Sequence, residues 1–401
     1  MFLSPSAQVG GAERVLFDMI ASLRARDARL RIVVIVSGDG PLLSLLRELD
    51  AKVIVLPFPS ALASLGDASA AMGGTLSGTL FRSLFSVPGV MRYAWLLRKT
   101  LRREAPDVVH SNGAKMHLLA AVSGHRVAPV VWHLHDYVSP RPVMRRLLSA
   151  TVTRCAAIVA NSESVASDAR RVFGSKVRVT VMLNGVDLDR FAPNGPLLDL
   201  DALAGNAPPR DAVVRVGLVA TFARWKGHDL FFRALAALPT DSTVRGYVIG
   251  GPFYETRGSQ CTLEELRNKA DTLGISDRVV FTGPVDDVPA ALRALDVVVH
   301  ASTEPEPFGL VIAEAMACGR AVLTCGSGGA LELVDSERTA VVAPRNDAAA
   351  AGAAIDRLAR NPELRATLGA AARTSAVTHF DRRDCATTLM LLYNTIASVR
   401  G

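Results

Sequence analysis

Short apolar runs alternate with amphipathic helical stretches along this chain, and the alternation comes in two series. In the first half, Val- and Ile-rich runs predict strands at "RIVVIVS" (31–37), "KVIVLPF" (52–58), "DVVHS" (107–111), "PVVWHLH" (129–135), "AIVANS" (157–162) and "VRVTVML" (177–183). The second half predicts them at "VRVGLVAT" (214–221), "VRGYVIGG" (244–251), "RVVFTG" (278–283), "DVVVHAS" (296–302) and "RAVLTC" (320–325). Strands that are apolar throughout and separated by helices belong to parallel sheets covered on both faces. Between the two series, 184–211 is rich in Gly, Pro, Asn and Asp and reads as a linker. Two α/β domains of similar size are expected, with no internal sequence repeat.

Bulk properties narrow the class without choosing a function. The chain has 401 residues, too many for one ordinary core, and its 49% hydrophobic and 21% charged content is that of a globular protein. Five dispersed cysteines show neither CxxC nor metal-ligand spacing, which predicts reduced thiols and a cytoplasmic location. A strand-like "FLSP" from Phe2 leaves no room for a secretory signal, and no uninterrupted apolar run reaches the roughly 18 residues of a membrane span. A net charge of +7 is modest at this size: it permits anionic partners such as phosphates, nucleic acid or a lipid surface and selects none of them, and no nucleic-acid partner is expected.

Two segments of the first half stand apart. The Gly/Ser/Ala-rich stretch 63–83 fits neither helix nor strand. The basic amphipathic segment 92–103 carries Arg92, Arg98, Lys99, Arg102 and Arg103 beside Tyr93 and Trp95. An ordinary surface helix is the plain reading, and peripheral contact with the inner face of the cell membrane, or with an anionic acceptor, is the sharper one.

Candidate chemistry centres on "TEPEPFGLVIAEAMACG" (303–319). A strand delivers a proline-stiffened loop into Phe308-Gly309-Leu310, which opens an apolar helix; such helix starts present free amides and a positive dipole end to phosphate. Glu306 lies just before that start and Glu314 inside the helix. Their eight-residue separation spans about 12 Å if helical, which suits a ligand with hydroxyl-rich groups at both ends of a diphosphate. A carboxylate among Val311, Ile312, Ala313, Ala315 and Met316 needs a partner, so Glu314 is expected to be under-satisfied without ligand.

The stretch "EPFGLVIAE", followed by "GRAVLTCGSGGALELV", resembles the E-x7-E signature of retaining GT-B glycosyltransferases of the glycosyltransferase 4 type. Other segments carry the resemblance along nearly the whole chain. "VGGAERVLFDMIASL" (9–23) is similar to the opening glycine-rich turn, where Gly10 and Gly11 let the backbone approach the donor phosphate. "ATFARWKGHDLFFRAL" (220–235) is similar to the diphosphate site; Lys226 matches the family lysine, but Thr221 stands where the arginine is expected, with Arg224 its nearest replacement. "PVVWHLHDY" supplies a strand-end histidine, His135 in preference to His133.

The resemblance implies two Rossmann-like doubly wound domains facing each other across a cleft. They would be an acceptor domain (1–185) and a donor-nucleotide domain (186–378), with a C-terminal helix (379–401) returning to the first. It implies transfer of a hexose from a nucleotide-diphosphate sugar to an acceptor hydroxyl, with retention and without metal or other cofactor. Glu306, His135, Lys226 and Arg224 would be catalytic. Donor binding would fall to Gly10, Gly11, Thr221, Arg224, Lys226, the amides of Phe308, Gly309 and Leu310, and Glu314. Asn112 and Lys115 would line the acceptor side; the acceptor itself, whether glycan, lipid-linked or small molecule, is not encoded legibly. Two "DLD" triplets, 187–189 and 199–201, fall in the linker and read as turn formers instead of metal ligands. Neither GxSxG nor GxxxxGK[ST] occurs. Two alternatives stay open: an inactive nucleotide-sugar-binding protein, and a GT-B epimerase acting on the nucleotide sugar itself.

Overall fold

A computed structural model describes residues 1–59, 76–209, 212–252 and 259–398, without the side chains of 76–87. The chain divides into two compact units, 1–185 together with 382–401, and 186–381. Each is built on one parallel sheet.

The seven strands of the first unit are β1 (Phe2–Ser4), β2 (Val33–Val36), β3 (Lys52–Val55), β4 (Val109–Asn112), β5 (Val130–Leu134), β6 (Ala157–Ala160) and β7 (Val179–Val181), in the order β3-β2-β1-β4-β5-β6-β7. β2, β4, β5 and β6 are buried end to end, and β2 and β6 accordingly read as unbroken apolar runs, while β4 and β5 carry the polar residues His110, Ser111, Asn112 and His133 into the buried sheet. Each aliphatic side chain removed from water there contributes about 1.5–3 kcal/mol. The strand order reverses between β1 and β4, and right-handed crossovers then put the helices after β1 and after β4 on opposite faces. On one face helix Gly11–Arg26 packs against Leu42–Glu48 and against the last helix, Arg382–Ser398. On the other, helices Leu76–Glu104, Ala114–Ser123, Pro142–Thr151 and Glu163–Phe173 lie side by side.

The Gly/Ser/Ala-rich stretch departs from its reading in part: 76–83 form the first turns of helix Leu76–Glu104, which carries Pro88 internally, while 63–75 lie outside the described residues. The last helix is tied to the first unit by Arg382 on Asp18 at 2.9 Å and by Tyr393 Oη against His110 Nδ1 at 2.7 Å.

The second unit has six strands, β8 (Val214–Val219), β9 (Val244–Ile249), β10 (Val279–Gly283), β11 (Val297–His300), β12 (Ala321–Thr324) and the short β13 (Val341–Val342), ordered β10-β9-β8-β11-β12-β13. Its order reverses between β8 and β11. The linker packs onto this unit through helix Leu200–Leu203. Asp187 and Asp199 do form turns and caps, accepting amides of Asp189, Arg190, Asp201 and Ala202. Asp201 does not: it is buried against the Tyr247 hydroxyl and Arg245. None of the five cysteines is in a disulfide, and among the described residues no helix is long and apolar enough to cross a membrane.

Candidate functional site

In open α/β sheets the crevice for ligands opens where strand order reverses, beyond the carboxyl ends of the strands. In the second unit that place lies between β8 and β11, and three neighbouring strands deliver side chains to it. After β8, a 3-10 turn Arg224–Lys226 ends at Gly227 (φ +78°). A Cβ on Gly227 would stand 1.8 Å from the Ala301 carbonyl oxygen, so only glycine lets this turn close onto the end of β11. Thr303 N–H donates to the Trp225 carbonyl at 2.8 Å and completes the join.

The join brings Lys226 onto Glu306, although they are 80 residues apart. The ammonium sits 2.8 and 2.9 Å from the two carboxylate oxygens. Ser302 Oγ donates to Oε2 at 2.7 Å, and His300 Nε2 lies 3.6 Å from the same oxygen. His300 and Thr324 are register partners at the ends of β11 and β12, which puts His300 Nδ1 3.0 Å from Thr324 Oγ1. Thr324 Oγ1 accepts the Gly326 amide at 3.1 Å and has its own proton left for Nδ1. That polarity leaves the imidazole proton on Nε2, facing Glu306. The Glu306 amide donates to the Ser327 carbonyl at 3.0 Å, fixing the loop to the segment after β12. Burial pushes the Glu306 carboxyl up, but the charge of Lys226, helped by the Nε2–H of His300 facing it, outweighs burial and holds the group well below the usual carboxylate range.

Four residues after Glu306, helix Leu310–Ala317 begins with Gly309 in the left-handed region (φ +92°) and no side-chain cap. The first amides of a helix have no intrahelical acceptor, so an anion can take them. Phe308 is buried, its ring edge-on to Phe380 at 6.2 Å. Since only Leu310–Ala317 is helical, the 12 Å expectation, which assumed a continuous helix from Glu306, does not hold.

Glu314 also differs from expectation. It is half-buried and has a partner in the protein; its apolar neighbours Ile312, Ala313, Ala315 and Met316 are the ones that face the core. Arg224 is exposed and pairs with Glu265 at 3.3 Å, so it does not join the Lys226–Glu306 group, and Thr221 at the end of β8 is half-buried. Glu304 faces solvent.

The first unit has its own switch point. Gly10 (φ −91°) and Gly11 open helix Gly11–Arg26 after β1; neither adopts a positive φ, and a Cβ on Gly11 meets nothing within 4 Å. The dihedrals therefore do not require glycine at either place, and Gly11 has room for a side chain. Asn112, at the end of β4, accepts from His135 Nε2 at 2.9 Å. That contact leaves His135 Nδ1 and Asn112 Nδ2 buried and without a hydrogen-bond partner. The His133 and His135 rings lie together, centroids 4.1 Å apart, but His133 is fully buried, with His110 edge-on to it. Lys115 is half-buried on the first turn of helix Ala114–Ser123.

His117, on helix Ala114–Ser123, joins this group with Nδ1 2.8 Å from Ser111 Oγ, and burial lowers all four imidazoles: His117 to about 3, His135 to about 4, and His110 and His133 well below the ordinary value. The unfolded chain takes up protons near pH 6.5 that the folded unit refuses, so stability is full above that value and falls as pH drops towards about 4. Hydrogen-exchange protection of the β4 and β5 amides, corrected for intrinsic rates, is expected to decline by up to about 1.4 kcal/mol per pH unit for each histidine below pH 6. Constant protection from pH 7 to 5 would contradict neutral burial.

Two doubly wound units, one presenting a cation–carboxylate pair ahead of a helix start, define a protein of GT-B type. Residues 9–190 match the family model described as Glycosyltransferase Family 4, and 210–375 match Glycosyl transferases group 1. The chain is 32% identical to the D-inositol 3-phosphate glycosyltransferase of Xylanimonas cellulosilytica over 78% of its length and 73% of the relative's. To the enzyme of that name from Salinispora arenicola it is 36% identical over 55% of its own length, spanning half of that relative. Among solved structures, HepE of Anabaena in complex with UDP is similar at 25% identity, with a TM-score of 0.79 over 98% of this chain and 99% of that one. The same protein has also been solved with UDP-glucose. This chain belongs to the glycosyltransferase family whose two halves those models describe.

Proposed function

We propose that the protein transfers a hexose from a nucleotide-diphosphate sugar to an acceptor hydroxyl, with retention of configuration and without a metal. The observation that carries the proposal is the Lys226–Glu306 pair, held at the strand-order reversal directly ahead of the Leu310 helix start. In this reading the amides of Phe308–Leu310 take the diphosphate and Lys226 neutralises the charge that develops on it as it leaves. A fixed cation does there what a divalent ion does elsewhere, so chelation by EDTA should leave turnover unchanged. Glu306, kept ionised, accepts from the sugar hydroxyls and orients them, and Glu314 exchanges its protein partner for the ribose hydroxyls. Gly10 and Gly11 bring the first unit's backbone close to phosphate, and His135, held by Asn112, contributes at the transferred sugar. Lys115 is assigned to the acceptor.

A thermal-shift screen with UDP-, GDP- and ADP-sugars tests the donor half. A donor at about 100 times its Kd stabilises by about 2.7 kcal/mol, a rise of roughly 5–10 °C for a unit of this size. No shift with any of the three sinks the proposal; mass spectrometry with candidate acceptors then identifies product. The exposed Arg224 paired with Glu265, and Thr221 where an arginine is expected, favour one rival, a binder that does not turn over. Donor shift without hydrolysis or transfer would identify it.

A further inference from the structure

Three helices that lie side by side on the first unit, Leu76–Glu104, Ala114–Ser123 and Pro142–Thr151, share an outward surface that the donor reading does not use. Its charge is one-sided. From 108 to 162 the sequence has six Lys and Arg and a single acid, Asp136, which pairs with Arg141; from 88 to 103 there are five basic residues and no acid. The basic groups converge: burial and the charges of Arg154, Arg126 and Arg98, from three separate segments, hold His125 below its ordinary value.

The same surface exposes large apolar side chains. Tyr93, Leu97 and Leu101 turn inward into the core, while Met91 and Trp95 on the other side of that helix are 67% and 59% exposed. Lys99 stands over the Trp95 ring at 5.4 Å. Two helices away, Val143 (60% exposed) and Leu147 (43%) flank exposed Arg146 on one stripe. Trp95 lies on the solvent side of its helix, amid cations, and is not spent on the core. A Trp whose body enters the headgroup layer while Lys and Arg meet lipid phosphates is the arrangement of interfacial binding.

We propose that this three-helix surface docks the protein on an anionic lipid bilayer, with Trp95 and Leu147 inserted and the arginines on the headgroups. Charge complementarity selects this occupant, since the patch is positive and carries one compensated acid. The proposal is independent of the donor assignment: vesicle binding can fail while the donor shift stands, and the reverse.

The test is co-sedimentation of the full chain with phosphatidylglycerol/phosphatidylcholine vesicles, against pure phosphatidylcholine. Binding only to the anionic vesicles is expected, with loss as salt rises well above about 0.1 M. Arg145→Glu with Arg146→Glu, and separately Arg92→Glu with Arg102→Glu, should each weaken partitioning roughly tenfold or more. Arg103 is left intact because it holds buried Glu104 at 3.1 Å. Trp95 emission should shift to the blue on vesicle addition, a response absent from Trp95→Phe. Equal binding to neutral vesicles, or wild-type partitioning of the Arg145/Arg146 pair with unchanged thermal midpoint, overturns the proposal. So does tighter binding to a DNA duplex, insensitive to Trp95→Phe.

Discussion

Lys226→Ala should lower kcat/KM by roughly 10³-fold, about 4 kcal/mol of transition-state stabilisation, while the protein stays folded. Two losses combine. The proposed leaving diphosphate loses its fixed cation, and Glu306, whose side chain is only 15% exposed, loses the charge that keeps it ionised and aimed. Glu306→Gln separates the two, since it preserves shape and Ser302's hydrogen bond while removing the charge opposite Lys226. Its turnover should fall by a similar factor, with donor Kd changed less than about threefold, because orientation matters more in the transition state than in binding. Steady-state kinetics on both variants, with isothermal titration of the donor, would decide. Near-normal turnover in either would remove the pair from the chemistry.

The second large effect concerns two glycines that should behave in opposite ways. Gly227→Ala places a Cβ 1.8 Å from the Ala301 carbonyl oxygen at φ +78°. Neither atom belongs to a flexible side chain, so the end of β11 must move, and with it Ser302 and the loop to Glu306. A destabilisation of roughly 3 kcal/mol, or about 6–12 °C in thermal midpoint, is expected alongside lost activity. Gly11→Ala adds a Cβ in open space at the first residue of a helix, where alanine is the better helix former. Its thermal midpoint should hold or rise while KM for the donor increases, because only a ligand needs that space. If Gly11→Ala retains wild-type KM, the backbone approach proposed for the first unit is wrong.

Most buried strands were legible because burial on both sheet faces writes itself as runs rich in Val and Ile. Lys226 and Glu306 were legible too, each as part of a local motif. Their companions were not. His300 touches Thr324 only through the register of β11 on β12, and no spacing within the chain records which strands are neighbours. One signal was present: a lone imidazole closing the apolar run "DVVVHAS", at the strand end where ligands bind. Glu314 misled in the opposite direction, since apolar neighbours on a short helix made a half-buried carboxylate look fully enclosed. The first turns of Leu76–Glu104 were hidden by Gly and Ser, whose weak helical preference is overridden once the helix lies in its layer.

The second unit is inserted into the first: the chain leaves at Gly185 and returns at Arg382, and a Cβ on Gly185 would lie 2.3 Å from the Arg382 Cα. Synthesis therefore runs against the order of completion. Residues 186–381 are all present before the ribosome has released the helix that packs on Gly11–Arg26. The seven-stranded sheet waits, with Asp18 and His110 lacking Arg382 and Tyr393, until residues 382–398 emerge. The unit started by 1–185 closes only after 186–381 has been made, and loss of 382–398 strikes a fold begun some two hundred residues earlier.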